Sequence, residues 1–265
     1  MTQLDHKLTG KTVLITRSVG QSSNFKTLLL AEGARVIEMP ALEIQPPSSW
    51  ADLDKAIGRV GSYDWLILTS TNAVEYFTQR MLELGKDYRD LHGVKVAVVG
   101  EKTAQCLRQK GLKPDYIPPN FVADSLLEHF PGNPDGKRIL FPRVESGGRE
   151  VLVQELRDRQ AEITEVAAYQ SACPAEIDLT ALEALEQGTI NIVTFASSKT
   201  VRHFCQLLAQ ALGDNWLSVM DSVVVASIGP QTSQDCRELL GRVDVEAQEY
   251  TLPGLTQAIV EFACR

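Results

Sequence analysis

Residues Leu66–Phe77 read LILTSTNAVEYF, and residues Val193–Phe204 read VTFASSKTVRHF. In each, a short apolar run ends in a pair of hydroxyls, Ser70-Thr71 and Ser197-Ser198, and an amphipathic stripe follows. That pattern is a buried parallel strand turning into a helix. The match extends outward from this pair. Val96–Leu107 (VAVVGEKTAQCL) matches Val225–Arg237 (VASIGPQTSQDCR) apart from one extra residue, and Val13–Pro40 matches Ile139–Gln170. The offsets are 126 from Arg17 to Arg143, 127 from Ser70 to Ser197 and 129 from Thr103 to Thr232. One order and one spacing mean duplication. Two copies of one α/β unit build two similar domains, and two similar domains make a cleft.

At 265 residues the chain has room for two domains of ordinary size. Its 26 basic and 34 acidic residues give a net charge of −8, which argues against a nucleic-acid partner. A small anion is still compatible, because local amides and a few arginines can hold one. The start, MTQLDHKLTGK, shows no apolar signal segment, and no apolar run approaches the ~20 residues of a membrane span. The five cysteines are scattered, with no C-x-x-C and no Cys/His ligand spacing, so neither disulfides nor a metal is expected. The composition describes a reduced, cytoplasmic enzyme or binding protein. A monomer is expected, since no long exposed apolar patch can be argued.

Val13–Thr16, Trp65–Thr69, Lys95–Val99, Arg138–Phe141, Asn191–Phe195 and Ser222–Ile228 read as buried parallel strands. Helical stripes follow them: Phe25, Leu28 and Leu29; Val74, Phe77 and Met81; Val201, Phe204 and Leu208; and Leu255, Ala258, Ile259 and Phe262. Strand–helix alternation predicts an α/β fold, a doubly wound, flavodoxin-like parallel sheet made twice. Arg35–Gln45 and Glu162–Cys173 are extended, occupy equivalent places in the two copies and each meet a proline. They read as paired β connectors between the domains.

Ligands of open parallel sheets bind beyond the carboxyl ends of the strands. Those turns carry Arg17-Ser18, Ser70-Thr71-Asn72 and Gly100-Glu101-Lys102-Thr103 in the first copy. The second copy carries Arg143 with Gly147-Gly148-Arg149, then Ser197-Ser198-Lys199, then Gly229-Pro230-Gln231-Thr232. Helix N-terminal amides with hydroxyls and glycines suit a small molecule with many carboxylates. Each serine or threonine taken singly also reads as a plain helix cap. No G-x-G-x-x-G, phosphate loop, H-E-x-x-H or G-x-S-x-G occurs, and no histidine lies in a repeat turn. An enzyme built this way acts chiefly by holding its substrate in one shape.

The ordered motifs of Ile15–Pro40, Leu68–Phe77 (LTSTNAVEYF), Val98–Ala104 (VVGEKTA), Phe141–Glu150, Ala168-Tyr169-Gln170, Thr194–Phe204 (TFASSKTVRHF) and Ala226–Thr232 (ASIGPQT) span nearly the whole chain. Together they resemble the uroporphyrinogen-III synthase family. The resemblance implies two flavodoxin-like domains, residues 1–38 plus 172–265 and residues 39–171, joined by connectors at about 35–45 and 162–173. It implies a cofactor-free lyase of tetrapyrrole biosynthesis (heme, siroheme or chlorophyll supply) that cyclises hydroxymethylbilane with inversion of ring D through a spiro intermediate. The substrate would lie between the domains, its carboxylates held largely by main-chain amides, and would be handed over by hydroxymethylbilane synthase. The family's proposed proton donor falls on Tyr169, which otherwise reads as a connector tyrosine that packs on one side and hydrogen bonds on the other. The expected substrate-binding set is Arg17, Ser70, Thr71, Gly100, Thr103, Arg143, Gly147, Arg149, Ser197, Ser198, Gly229 and Thr232. A two-strand hinge would let the domains close over substrate. The competing reading is a non-catalytic bilobal binding or sensor protein, against which stands the absence of an export signal and of a reporting domain.

Overall fold

The computed structural model describes residues 6–18, 22–119, 126, 130–147 and 150–264. In chain order its first elements are β1 (Thr12–Ile15), α1 (Ser23–Ala31), β2 (Arg35–Glu38), β3 (Glu43–Gln45), α2 (Ala51–Gly58), β4 (Trp65–Leu68), α3 (Thr71–Glu83), β5 (Lys95–Val98) and α4 (Glu101–Gln109). Then come β6 (Arg138–Val144), α5 (Glu150–Asp158), β7 (Glu162–Ala172), α6 (Leu179–Glu186), β8 (Ile192–Phe195) and α7 (Ser198–Leu212). The chain ends with β9 (Val224–Ser227), α8 (Pro230–Leu240), β10 (Val245–Glu246) and α9 (Leu252–Ala263). Each of the six predicted strands is present. β10 escapes the sequence because two residues on a sheet edge are too few to show a pattern.

Contacts divide the chain into two compact units, Met1–Glu43 with Ala172–Arg265, and Ile44–Ser171. The first holds a five-stranded sheet in the order β10-β9-β8-β1-β2, every pair parallel. Renumbered within the unit, that order is 2-1-3-4-5. The second sheet runs β3-β7-β6-β4-β5. Its inner pairs are parallel, and Tyr116 adds a single parallel bridge beyond β5 at Ala97. Leaving β3 aside, β7-β6-β4-β5-Tyr116 repeats the first order, entered at a different strand. The chain therefore builds the same unit twice but begins the second copy part-way round. The first predicted extended stretch is split, β2 edging one sheet and β3 the other, while the second is β7.

Alternation along each strand feeds a core on either side of its sheet. In the first unit Leu14, Val193, Phe195 and Val225 pack with α6, α7 and α8, while Val13, Ile15, Ile192 and Ala226 pack with α1 and α9. In the second, Leu66, Leu68, Val96, Val98 and Leu140 pack with α2, α3 and α4. Trp65, Ile67, Ala97, Ile139 and Phe141 pack with α5, Leu126 and Phe130. Burial on both faces explains why these strands read as apolar runs rather than as alternating ones.

The duplication also recurs in single hydrogen bonds. The amide of Thr12 donates to Asn191 Oδ1 at 2.7 Å, and that of Arg138 to Asp64 Oδ2 at 2.9 Å. Val225 donates to Asp244 Oδ2 and Val96 to Asp115 Oδ2, each at 2.7 Å. In the first pair a polar residue satisfies the first amide of a strand and in the second pair the second amide, so the repeat preserves backbone accounting as well as packing.

Cys106, Cys205 and Cys236 sit in these cores, and all five cysteines are free. Burial pushes the thiols of Cys205 and Cys236 up to about 12 and that of Cys106 up to about 11. The thiolate is the reactive form, so these three are inert in the folded protein. A maleimide at pH 8 is expected to label exposed Cys264 within minutes and Cys205 and Cys236 only after denaturant is added. Mass spectrometry showing Cys236 labelled as fast as Cys264 would contradict this core assignment. Among the described residues no helix is long and apolar enough to cross a membrane.

Candidate functional site

In the second unit the rim is organised by the start of α3. Ser70 has extended backbone, so its Oγ can turn back and accept from the amide of Ala73 at 3.0 Å. The same Oγ lies 3.1 Å from the phenolic oxygen of Tyr169. Tyr169 reaches it through an irregularity in β7. Register runs evenly from Arg138↔Glu162 to Arg143↔Ala167 and then jumps to Val144↔Tyr169. The extra residue re-aims the side chain, as such bulges do. Tyr169 thereby joins the core of Val166 and Ala168, under α3, instead of facing the opposite layer.

The ring of Tyr169 is 8% exposed and stacks on Tyr76, centroids 6.0 Å apart with 25° between planes. Tyr76 donates its hydroxyl to the carbonyl of Ile44 at 3.2 Å and meets Trp50 at 6.4 Å. Arg80 lies 4.8 Å over the Trp50 ring and pairs with both oxygens of Asp54 at 2.7 Å. An aromatic row thus holds the phenol from behind while its hydroxyl points at a helix N-terminus. Thr71 opens α3, and its carbonyl faces the Cys106 thiol. Gly100 caps α4 at φ +89°, a backbone shape that disfavours any side chain, and Thr103 is buried in the first turn behind it.

Arg143 goes elsewhere. It is largely buried, makes an ion contact with Glu165 at 3.1 Å outside hydrogen-bond geometry, and donates Nε weakly to the carbonyl of Val144 at 3.4 Å. Glu165 also holds Arg157 of α5 at 2.7 Å, so Arg143 belongs to an ion cluster beside that helix. Gly147 follows β6 with φ +78°, and Arg149 lies outside the described residues.

The first unit carries the matching rim. Ser197 caps α7, accepting from the amide of Thr200 at 3.3 Å, and Thr200 returns its hydroxyl to the Ser197 carbonyl at 2.7 Å. Ser198 donates to the carbonyl of Gln231 at 3.2 Å, tying the first turns of α7 and α8 together. Gly229 precedes Pro230 at the start of α8, and a Cβ there would lie 2.8 Å from the Tyr250 ring. These residues line a depression of about 530 Å³ that holds Ser197, Ser198, Lys199, Gly229, Thr232 and Tyr250 together. Arg17 and Ser197 share a second cavity of about 240 Å³. Burial draws the Arg17 guanidinium below its ordinary value.

Sequence reasoning missed Tyr76, Trp50 and Tyr250, and it placed Ser18 in a candidate turn without including it in the binding set. One signal could have found the first. Tyr76 is equivalent to His203 at the common offset, and His203 Nδ1 lies 2.8 Å from the carbonyl of Ala41 as Tyr76 holds that of Ile44. Both side chains pin the segment where the chain leaves one unit for the other.

A family model described as "Uroporphyrinogen-III synthase HemD" matches residues 23–257. The chain belongs to the uroporphyrinogen-III synthase family. A curated uroporphyrinogen-III synthase of Synechococcus elongatus is 56% identical over 259 residues, covering 98% of each chain. That of Chlorobaculum parvum is 29% identical over 95% of this chain and 98% of its own. Among solved structures, uroporphyrinogen-III synthetase from Helicobacter pylori aligns with a TM-score of 0.58 at 14% identity, covering 95% of this chain and 99% of that one. A mutant of the Thermus thermophilus synthase aligns at 0.55 and 18% identity, covering 95% and 98%. At such identities the two structures speak for the α/β fold alone.

Proposed function

We propose that this family member is a working uroporphyrinogen-III synthase, a cofactor-independent cyclising lyase of porphyrin biosynthesis, whose substrate is hydroxymethylbilane. Its two units serve as two flavodoxin-like domains, the expected division of 1–38 with 172–265 and 39–171 shifted at its first boundary to Glu43/Ile44 because Met39 and Ala41 sit in the first unit's core, with connectors at about 35–45 and 162–173. The repeated 2-1-3-4-5 strand order supports that division. Ser70, Thr71, Gly100 and Thr103 on one rim, and Arg17, Ser197, Ser198, Gly229 and Thr232 on the other, hold substrate carboxylates, chiefly through amides of the helix starts. Arg143 supports the rim from its ion cluster; Gly147 shapes the loop beside it, with Arg149 next in the chain. The five unpaired cysteines fit the cytoplasm, where we take the enzyme to work as a monomer that receives its substrate from hydroxymethylbilane synthase.

The observation that carries the chemistry is the Tyr169 hydroxyl, 3.1 Å from Ser70 Oγ at the start of α3. Tyr169 donates a proton to the departing hydroxymethyl oxygen, which leaves as water, and an electron-poor azafulvene remains. The far ring attacks through its substituted carbon and forms a spiro intermediate. Fragmentation and reclosure invert ring D, and the ring proton lost as aromaticity returns goes back to the Tyr169 phenolate, so each turnover releases one water. Direct closure gives the type I isomer instead. Each ~1.4 kcal/mol by which the site favours the spiro path is a factor of ten in isomer ratio.

The test is to supply hydroxymethylbilane, oxidise the product and resolve the porphyrin isomers. Type III is expected to dominate. Tight binding with type I product only would favour the non-catalytic binding reading and end this one.

A further inference from the structure

The strand order of the first unit reverses between β1 and β8, and the crevice at such a reversal is where open α/β sheets take their ligands. There the structure has a cavity of about 240 Å³ lined by Arg17, Ser18, Leu42, Ala196, Ser197 and Thr200. Ser18 is 4% exposed, and its Oγ has no hydrogen-bond partner. A buried hydroxyl left unpaired costs stability, so one that persists calls for an explanation. The second unit shows what fills the equivalent crevice there. Val144 stands where the first unit has Ser18, and the Tyr169 hydroxyl meets the capping serine Ser70. In the first unit Leu42 stands at the common offset from Tyr169, with no hydroxyl to offer, and lines the cavity together with the capping serine Ser197.

We propose that this cavity is a carboxylate subsite, in which Ser18 Oγ donates to one acetate or propionate side chain of the substrate beside Arg17 and the first turn of α7. The cavity has room for a carboxylate with its methylene stem. The helix start contributes amide donors and the positive end of its dipole. The two crevices thus divide the work, one holding a carboxylate and the other presenting the phenol. This assignment rests on the bilane reading given above.

Ser18→Ala decides it. The hydroxyl is unpaired without ligand, so its removal is expected to leave Tm unchanged or slightly raised. A hydrogen bond to a charged group is lost on binding, so KM for hydroxymethylbilane is expected to rise about tenfold or more, with kcat within about twofold. A lowered Tm, or a KM within twofold of the parent, overturns the subsite. A second measurement does not depend on turnover: titrate a monopyrrole bearing one acetate and one propionate, and follow the amides of Ala196 and Ser197 by NMR. Saturable shifts in the parent that vanish in Ser18→Ala support the subsite, and identical shifts in both overturn it. If the parent makes no type III product while the monopyrrole result holds, the function reading fails and the anion site stands.

Discussion

Tyr169→Phe is expected to lower kcat by about 10²–10⁴-fold, the range contributed by a positioned general acid. The product that still forms on the enzyme is expected to remain type III. Loss of the phenolic hydroxyl removes the proton donor but leaves the ring, its stack on Tyr76 and the rims that shape the substrate. Those rims, and not the donor, decide which carbon attacks. KM is expected to change little, because the hydroxyl acts on the leaving group as it departs. The folded state loses one neutral hydrogen bond to Ser70, about 0.5–1.5 kcal/mol, so the variant remains folded at room temperature. Ser70→Ala is the companion measurement. It removes both a helix cap, about 1 kcal/mol, and the group that aims the phenol, and should lower kcat less than Tyr169→Phe does. Unchanged turnover in Tyr169→Phe removes this residue from the chemistry.

The sequence makes that prediction possible because some features leave a local trace and others do not. Strands buried on both faces appear as apolar runs, and capping serines stand at fixed distances from them. Ser70 and Ser197 could therefore be placed at helix starts, where both do cap. The partners of Tyr169 are another matter. Ser70 is 99 residues away in the chain, and the register shift that turns the phenol toward it depends on how β7 meets β6. No period in the sequence marks a bulge. Arg143 illustrates the reverse: its place in the repeat equals that of Arg17, yet Glu165 on the adjacent strand draws it toward α5. A long side chain goes to its nearest satisfied charge, and cross-strand neighbours are set by register. Ser18 was named in its turn but left out of the binding set, because a lone serine after a strand has no signature and only burial without a partner distinguishes it.

The second large effect tests the duplication itself. Phe77 on α3 and Phe204 on α7 are equivalent positions, each fully buried, each in a separate core. Phe204 meets Phe195 edge-on at 5.2 Å, whereas Phe77 packs among aliphatic residues such as Leu66, Val74 and Met81. Truncating either to alanine is expected to lower unfolding free energy by about 3–5 kcal/mol, the lost transfer energy plus a cavity that the packed sheet cannot close. Phe204→Ala should cost more, since an aromatic pair adds about 0.5–1.5 kcal/mol beyond area alone. The two residues share no core neighbours, so the effects should add within about 0.5 kcal/mol when combined. Urea unfolding of the two single variants and the double variant, followed by far-UV circular dichroism, measures this coupling. Unfolding need not stay two-state, because a chain with two cores can lose the weakened one first. A coupling above about 1 kcal/mol would mean that the repeated halves do not have independent interiors, and the division of the chain into two units would have to be redrawn.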